Sequence, residues 1–544
     1  MSDDLSSSAA FPADEAPTAK VSSAEDDSPI TPARALTPVR SRELFAVIAW
    51  TALADVLIFR SDGFTGPALF FALVPILFWI GCYKFLMPRH GLTISFLLLL
   101  VALRLLWMGS QLTLFAGVVL TIALSMVAAG AMPYVLEGIA FASRVLFEGA
   151  ARIAQYRFRA ATENQASRKR STATWLLPVV SVMVFGTLFI LANPDLVNRT
   201  TSYLADLADY VWRWFSVESA WEIPFCIFAL LIGAGFLCPR LPMFRFGPQT
   251  EFIEIPDERQ TSDWLPAFRN SLVTLIALFA LYLCFEFVTL WKREFPEGFY
   301  YAGYAHQGAA WLTVALALAT LLLSAIFNGK VLQDPRVTHL RWLAWFWSAL
   351  NLLLALAVYN RLTIYVGYNG MTRMRTVGFF GITVVVIGFL LVLYKIANHR
   401  SFWWLVRYQL MAVMVTIIAF SLFPVDYVAH RYNANRVNDG YLPPSVMVAV
   451  KQINDEGMLT LLSLTDHPDQ TIREGVQALL ANRQSEIETN LRESTSDWKE
   501  YQASDAMLLQ QLRQNQATWA PYLDSPGLRT TVINRFKNYA MKWY

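Results

Sequence analysis

Residues 364–397 read IYVGYNGMTRMRTVGFFGITVVVIGFLLVLYKIA: a polar connector packed with tyrosine, glycine and arginine, then an apolar run uncharged until Lys395. A run like 376–397 has no polar face to offer water, and as a helix rising 1.5 Å per residue it covers the roughly 30 Å hydrocarbon core of a bilayer. The same kind of run recurs on both sides, near 44–59, 68–87, 92–108, 111–129, 174–193, 222–238, 270–291, 307–327, 342–359 and 405–423. The expected fold is therefore an all-α polytopic membrane protein with about 11 transmembrane helices, within a bracket of 10–12. The first run is the weakest, being short and carrying Asp55.

Composition agrees. Of 544 residues 55% are hydrophobic and 16% charged, with mean hydropathy +0.39, outside the range of a soluble domain. The net charge of +3 and the absence of a basic stripe with interleaved aromatics exclude nucleic acid as a partner, leaving the lipid bilayer. Cys82, Cys226, Cys238 and Cys284 all fall in apolar runs, so no disulfide framework is expected.

Residues 1–42, rich in Ser, Ala, Pro and Asp, predict a disordered cytoplasmic tail, and 43–423 the helical bundle. Lys and Arg concentrate on alternate connectors, 23 against 8, which predicts the N-terminus inside and the C-terminus outside the membrane. Within the inner connector 130–173, Arg144, Glu148 and Arg152 share one helical face, predicting an amphipathic helix at the inner surface. The basic cluster Arg168–Arg170 reads as a topology signal. Tryptophan-rich stretches at 212–215, 342–347 and 402–405 read as interface belts.

From 424 to 544 the chain turns polar, with 12 basic and 14 acidic residues, and predicts a small soluble α-helical domain. Leu459, Leu461, Leu462 and Leu464, then Ile472, Val476, Leu479 and Leu480, flank a DHPD turn in the manner of one HEAT-like helical hairpin, although three copies are not found. Residues 485–519 read as one long surface helix. Ser525 with Pro526 reads as the cap and first position of the last helix.

Phosphate loops, HExxH, GxSxG and dinucleotide fingerprints are absent, and the six histidines are scattered. No catalytic residue, metal site or cofactor is expected. The residues that stand out are ionisable groups inside spans, Asp55, Arg104 and Glu286, for which an Arg104–Glu286 or Arg104–Asp55 pair is the expected arrangement.

Three segments, FYYAGYAHQGAAWLTVALALATLLL (299–323), NRLTIYVGYNGMTRMR (360–375) and VDYVAHRYNANR (425–436), together resemble a bacterial family of polytopic membrane proteins called domain of unknown function 4173. The resemblance covers roughly the C-terminal half, and implies a fold class but no activity. Tyr304 and Gly308 match its first pattern, whereas His306 and Gln307 stand where that family carries a charged pair. Arg361, Tyr365, Gly370, Thr372 and Arg375 match the second, with Asn369 in place of a tyrosine. Asp426, Tyr432, Asn433 and Arg436 match the third.

These positions suggest a fixed outer plug rather than a slack loop. Gly370 supplies a left-handed turn, Tyr365 and Tyr368 anchor it at the interface, and Arg373 and Arg375 cap the start of the next helix. The expected cluster joins Arg361, Arg375 and Arg436 to Asp426 and fastens the helical domain to the bundle. Three functions follow: a non-enzymatic envelope scaffold or signalling component meeting a protein partner through that domain, a transporter of a small solute or lipid, or a transferase acting on a lipid-linked substrate.

Overall fold

The computed structural model describes residues 41–82, 89–162, 203, 221–237, 246, 264–288, 301–327, 337–493 and 500–543. The expected tail before Ser41, the span near 174–193, the Arg168–Arg170 cluster and the aromatic stretch at 212–215 lie outside them. Ser41–Tyr544 form one compact unit.

Among the described residues the secondary structure is helical. The bundle comprises α1 (Ser41–Ala54), α2 (Thr65–Gly81), α3 (Arg89–Trp107), α4 (Gln111–Ala128), α5 (Val135–Thr162), α6 (Glu222–Leu237), α7 (Leu265–Glu286), α8 (Tyr301–Ile326), α9 (Val337–Asn369), α10 (Arg373–Ala397) and α11 (Phe402–Leu422). After it come α12 (Val425–Asn438), α13 (Ser445–Ala449), α14 (Asp455–Leu461), α15 (Gln470–Glu493), α16 (Ala503–Gln514), α17 (Ala520–Asp524) and α18 (Pro526–Ala540). Several begin on capping side chains that satisfy orphan backbone donors. Ser110 accepts from Thr113 N at 3.2 Å, Ser401 from Trp404 N at 3.2 Å and Asn454 from Gly457 N at 2.9 Å.

Among the described residues six helices, α3, α4, α7, α9, α10 and α11, are long and apolar enough to cross a membrane; α2, α6 and Ala310–Ser324 of α8 are shorter apolar helices. Helix α3 shows why these faces suit lipid. Leu92, Phe96, Leu99 and Leu103 form an exposed stripe, while Leu98, Val101, Ala102 and Leu105 are buried on the opposite side. In water each exposed side chain would cost about 1.5–3 kcal/mol relative to burial. Helix α1 does not reach that length: it stops at Ala54 and continues as a single π-helical turn, Asp55–Phe59.

Helices α1–α4 alternate in direction, and so do α6–α11. At one end, the start of α2, the junction of α3 and α4, the junction of α9 and α10, and the end of α11 meet the C-terminal helices. At the far end, the close of α4 bonds to the close of α6 through Ser125 Oγ and Phe236 O at 2.7 Å. There also α10 meets α8 through Lys395 Nζ and Phe327 O at 3.3 Å, and α11 meets α5 through Arg407 and Glu137 at 3.0 Å.

Helix α5 packs closely against its neighbours in the bundle. It packs along α6 so closely that a Cβ at Gly149 would fall 2.0 Å from Leu231 O, and one at Gly235 would fall 2.3 Å from Val145 O. Small residues at such crossings let backbones touch. Arg152 is buried and bonds to Glu43 of α1, so this face turns inward rather than to solvent.

The bundle buries two main cores. One draws on α1–α6, the other on α7–α10, and α11 contributes to both: Ile418 to the first, Trp404 and Leu405 to the second. Trp342 and Trp345 are exposed as a belt requires, but Trp347 and Trp404 are buried core residues.

The C-terminal helices bury a separate cluster. The hairpin leucines behave as their spacing predicts: Leu461, Leu464, Ile472, Val476 and Leu480 are at most 0% exposed. The first arm is only the short α14 and one 3₁₀ turn, so a HEAT repeat is not established. The expected long surface helix is instead the second half of α15 and a separate α16, whose Leu508, Leu509 and Leu512 turn into the core. The last helix starts at Pro526 as expected, although the Ser525 side chain makes no capping bond.

Candidate functional site

The polar groups of interest gather where the bundle meets the C-terminal helices. Deepest lies Glu286, the last residue of α7, 1% exposed. Arg361 of α9 donates Nε to its Oε1 at 2.6 Å, and Tyr282, one turn back on α7, donates to its Oε2 at 2.8 Å. The guanidinium also donates to Tyr282 O at the phenol, 3.0 Å away. Helix α8 makes room for this group with Gly308, where a Cβ would fall 1.8 Å from Arg361 Nη1. A carboxylate held by a guanidinium and a phenol inside an apolar bundle is a fully partnered structural charge.

Eight residues further on, the chain turns. Gly370 has φ +80°, and a Cβ there would meet Asn433 Oδ1 at 2.6 Å, so both backbone conformation and space demand glycine. Thr372 caps α10 by accepting from Arg375 N at 3.3 Å. The arginine expected to cap the same start does the opposite. Arg375 Nη1 reaches back to Asn369 O at 2.9 Å and to Gly370 O, closing the end of α9, where carbonyls are unpaired and the helix dipole is negative. Its guanidinium lies over the Tyr365 ring, 3.9 Å from the centroid.

Helix α12 reads this turn as a strand would. Asn433, 0% exposed, accepts from Met371 N at 2.6 Å and donates to Met371 O at 2.8 Å. Asp426 takes Arg373 at 2.9 Å and also the Asn454 amide. Arg436 donates to Gly367 O at 3.4 Å and stacks on Tyr441, whose hydroxyl donates to Tyr368 O at 3.1 Å. Tyr432 is half-buried and takes no part in these bonds. The single cluster expected of Arg361, Arg375, Arg436 and Asp426 is thus four separate contacts, because each arginine reaches a different acceptor and Asp426 takes Arg373 instead. His430, buried beside Asp426, is held neutral: burial pushes its pKa down, against a smaller upward pull from that carboxylate.

Neither expected partner reaches Arg104. Its two terminal nitrogens donate to Glu456 Oε1 and Oε2, both at 2.8 Å, and Trp107 Nε1 adds a bond at 3.3 Å. Glu456 is 2% exposed at the start of α14, so a span end is clamped bidentately to the C-terminal helices. Beside it, Gly109 N donates to Gln502 Oε1 at 2.5 Å and Thr65 Oγ1 to Tyr501 O at 2.5 Å. Asp55 pairs locally instead, with Arg60 at 3.2 Å, and Arg60 bonds also to Glu222 of α6. A five-residue spacing points to different faces of an α-helix, but the π turn brings 55 and 60 together, as the Arg60 N to Asp55 O bond of 3.0 Å records.

Sequence reasoning missed Glu456, Asn454, Gln502, Tyr501 and Tyr282. The only local sign was NDEG at 454–457, which reads as an ordinary helix start. Behind the clamp, Asp455 is held by Arg483, Nη2 to Oδ2 at 2.6 Å, and its neighbour Asp505 is pushed up to about 6 by burial and by the Asp455 carboxylate. Among the described residues no group of His, Cys, Asp and Glu is placed to hold a metal ion. The side chains of Tyr304, His306 and Gln307 lie outside the described ones.

A family model described as Domain of unknown function (DUF4153) matches residues 44–453. The chain belongs to that family. It is an unknown-function family, as the three segments suggest, but the match is to DUF4153 rather than to domain of unknown function 4173. Nothing among curated proteins or solved structures matches the chain. The DUF4153 span contains the bundle, the 370–375 turn and α12, and it ends just before Asn454 and Glu456.

Proposed function

We propose that this DUF4153 chain is a multi-pass bacterial inner-membrane protein, a non-enzymatic envelope scaffold or signalling component that presents its C-terminal helices to a protein partner. The observation that carries the reading is the bidentate Arg104–Glu456 clamp. With Gln502 on Gly109 and Asn433 on Met371, it fixes the C-terminal helices to two separate helix junctions, α3–α4 and α9–α10. A module locked in that way suits presentation of a surface, whereas a carrier needs its charged centre free to change partners. Glu286, an ionisable group inside a span, is held by both Arg361 and Tyr282, and of the groups near the turn that could act as acid or base Asp426 is ion-paired and His430 buried.

Eleven crossings, a cytoplasmic N-terminus and an extracytoplasmic C-terminal domain complete the proposal. The alternation of helices supports it. Helix α4 closes at the far end and α6 opens, through Glu222 and Arg60, at the domain end, a relation that one proposed crossing between them satisfies.

Topology is tested by replacing the native cysteines, adding Gln514→Cys on the exposed surface and treating intact cells with a membrane-impermeant maleimide. Labelling is expected; labelling only after permeabilisation overturns the orientation. Function is tested by complementing a deletion strain. The uncharged pair Glu286→Gln with Arg361→Gln is expected to complement at normal protein levels, and Glu456→Gln is expected to fail. The reverse pattern overturns the scaffold reading in favour of a carrier.

A further inference from the structure

At the far end of the bundle, opposite the C-terminal helices, Arg341 near the start of α9, Lys395 in the last turn of α10, and His399 with Arg400 in the turn to α11 come together. We propose that this cluster binds the phosphate of an anionic phospholipid headgroup. The site lies far from the clamp and requires only that the helices cross a bilayer, not that the scaffold reading or its orientation hold.

The case rests on Lys395 and Arg341, for which the described residues supply no counter-charge. Two other arginines at this end have acids built in: Arg152 pairs with Glu43 and Arg407 with Glu137. Lys395 is 1% exposed, yet among the described residues its ammonium bonds to Phe327 O alone, at 3.3 Å, and faces the Phe402 ring at 6.0 Å. Arg341 donates to His399 Nε2 at 3.4 Å, while its own Nε is buried with no partner. Among the described residues no carboxylate pairs with Lys395 or Arg341. The carbonyl ends of α8 and α10 offset only about half a charge each. Two cations and an unsatisfied donor are left, and buried cations of this kind are stable when an anion completes them.

The surroundings say where that anion comes from. Trp342, Tyr394 and Phe402 are exposed around the cluster, the arrangement that sits aromatic rings at headgroup depth. Basic pockets between spans at that depth take lipid phosphates. His399 adopts φ +50°, a conformation most side chains avoid, and holds its ring nitrogen against Arg341. Because the guanidinium can only donate, His399 accepts through Nε2 and its Nδ1 carries a hydrogen available to a phosphate oxygen.

The test uses the full chain in a neutral detergent, with thermal unfolding and native mass spectrometry read after adding phosphatidylglycerol, phosphatidylcholine or sodium phosphate. Phosphatidylglycerol is expected to remain bound and to raise the melting temperature, binding about tenfold more tightly than phosphatidylcholine. Arg341→Gln and, separately, Arg400→Gln are expected to weaken it about fivefold per cation removed while leaving the lipid-free melting temperature unchanged. Arg373→Gln, an exposed arginine at the opposite end, is expected to change nothing. Equal stabilisation by phosphatidylcholine, full stabilisation by sodium phosphate alone, or undiminished binding in both cluster variants overturns the proposal.

Discussion

Replacing Glu456 by glutamine tests what joins the C-terminal helices to the bundle. The substitution keeps the size of the side chain but removes the charge and one of the two acceptors that Arg104 uses at 2.8 Å each, and it turns an amide donor toward a guanidinium. Removing one partner of a buried pair costs about 3–5 kcal/mol. The Arg104 side chain keeps 16% exposure, so part of its charge can turn to solvent and about 3 kcal/mol is the better figure. The C-terminal helices retain their own core, so the loss is expected as local opening of α14 and α16. About 3 kcal/mol corresponds to roughly a hundredfold faster amide exchange there, against little change in α15 and α18. Hydrogen exchange by mass spectrometry on detergent-solubilised protein reads this directly. The double variant Arg104→Met with Glu456→Met, which leaves no unpaired charge, is expected to recover most of the protection. Wild-type exchange in α14 of a folded Glu456→Gln protein refutes the clamp.

Other outcomes follow from the same contacts. Gly308→Ala drives a methyl into the space of Arg361 Nη1, and is expected to lower the melting temperature more than the same change at Gly367, where nothing lies within 4 Å. Gly370→Ala combines a strained φ with a clash against Asn433 and is expected to cost at least about 1–2 kcal/mol, seen as faster proteolysis between α9 and α10. Asn433→Leu removes both bonds to Met371 and leaves that half-buried backbone without its side-chain partner, a loss of about 1–3 kcal/mol measurable by thermal unfolding. Asp505 has a folded pKa of about 6, above the ordinary value near 4, so the folded state binds the extra proton. Its contribution to stability is complete below about pH 4 and is lost as pH rises through about 6; Asp505→Asn is expected to flatten that dependence in melting curves, and an unchanged profile refutes it.

The six helices long and apolar enough to cross a membrane were legible because lipid imposes a uniform demand that composition and length report directly. The leucine hairpin and the left-handed Gly370 were legible for a similar reason, since period and turn chemistry are local. Partnerships were not. Arg104 and Glu456 stand 352 positions apart, and an acid at a helix start is already explained by the helix dipole, so nothing marked Glu456 as an ion-pair partner. Asp55 failed differently: its partner stands five residues away, a spacing that α-helical reasoning assigns to another face and that only the π turn brings near. Arg375 was recognised as a cap but assigned to the wrong helix, because in a tight turn a long side chain reaches the preceding carbonyls as easily as the following amides.

One helix links the two halves of the bundle. Because α11 seats Ile418 in one core and Trp404 in the other, it works as a shared axle: a tilt of either lobe against its neighbour must roll it. Only Phe423 and Pro424 separate α11 from α12, which grips the 370–375 turn through Asn433. Any rotation within the membrane is therefore geared, over two residues, to the surface outside it.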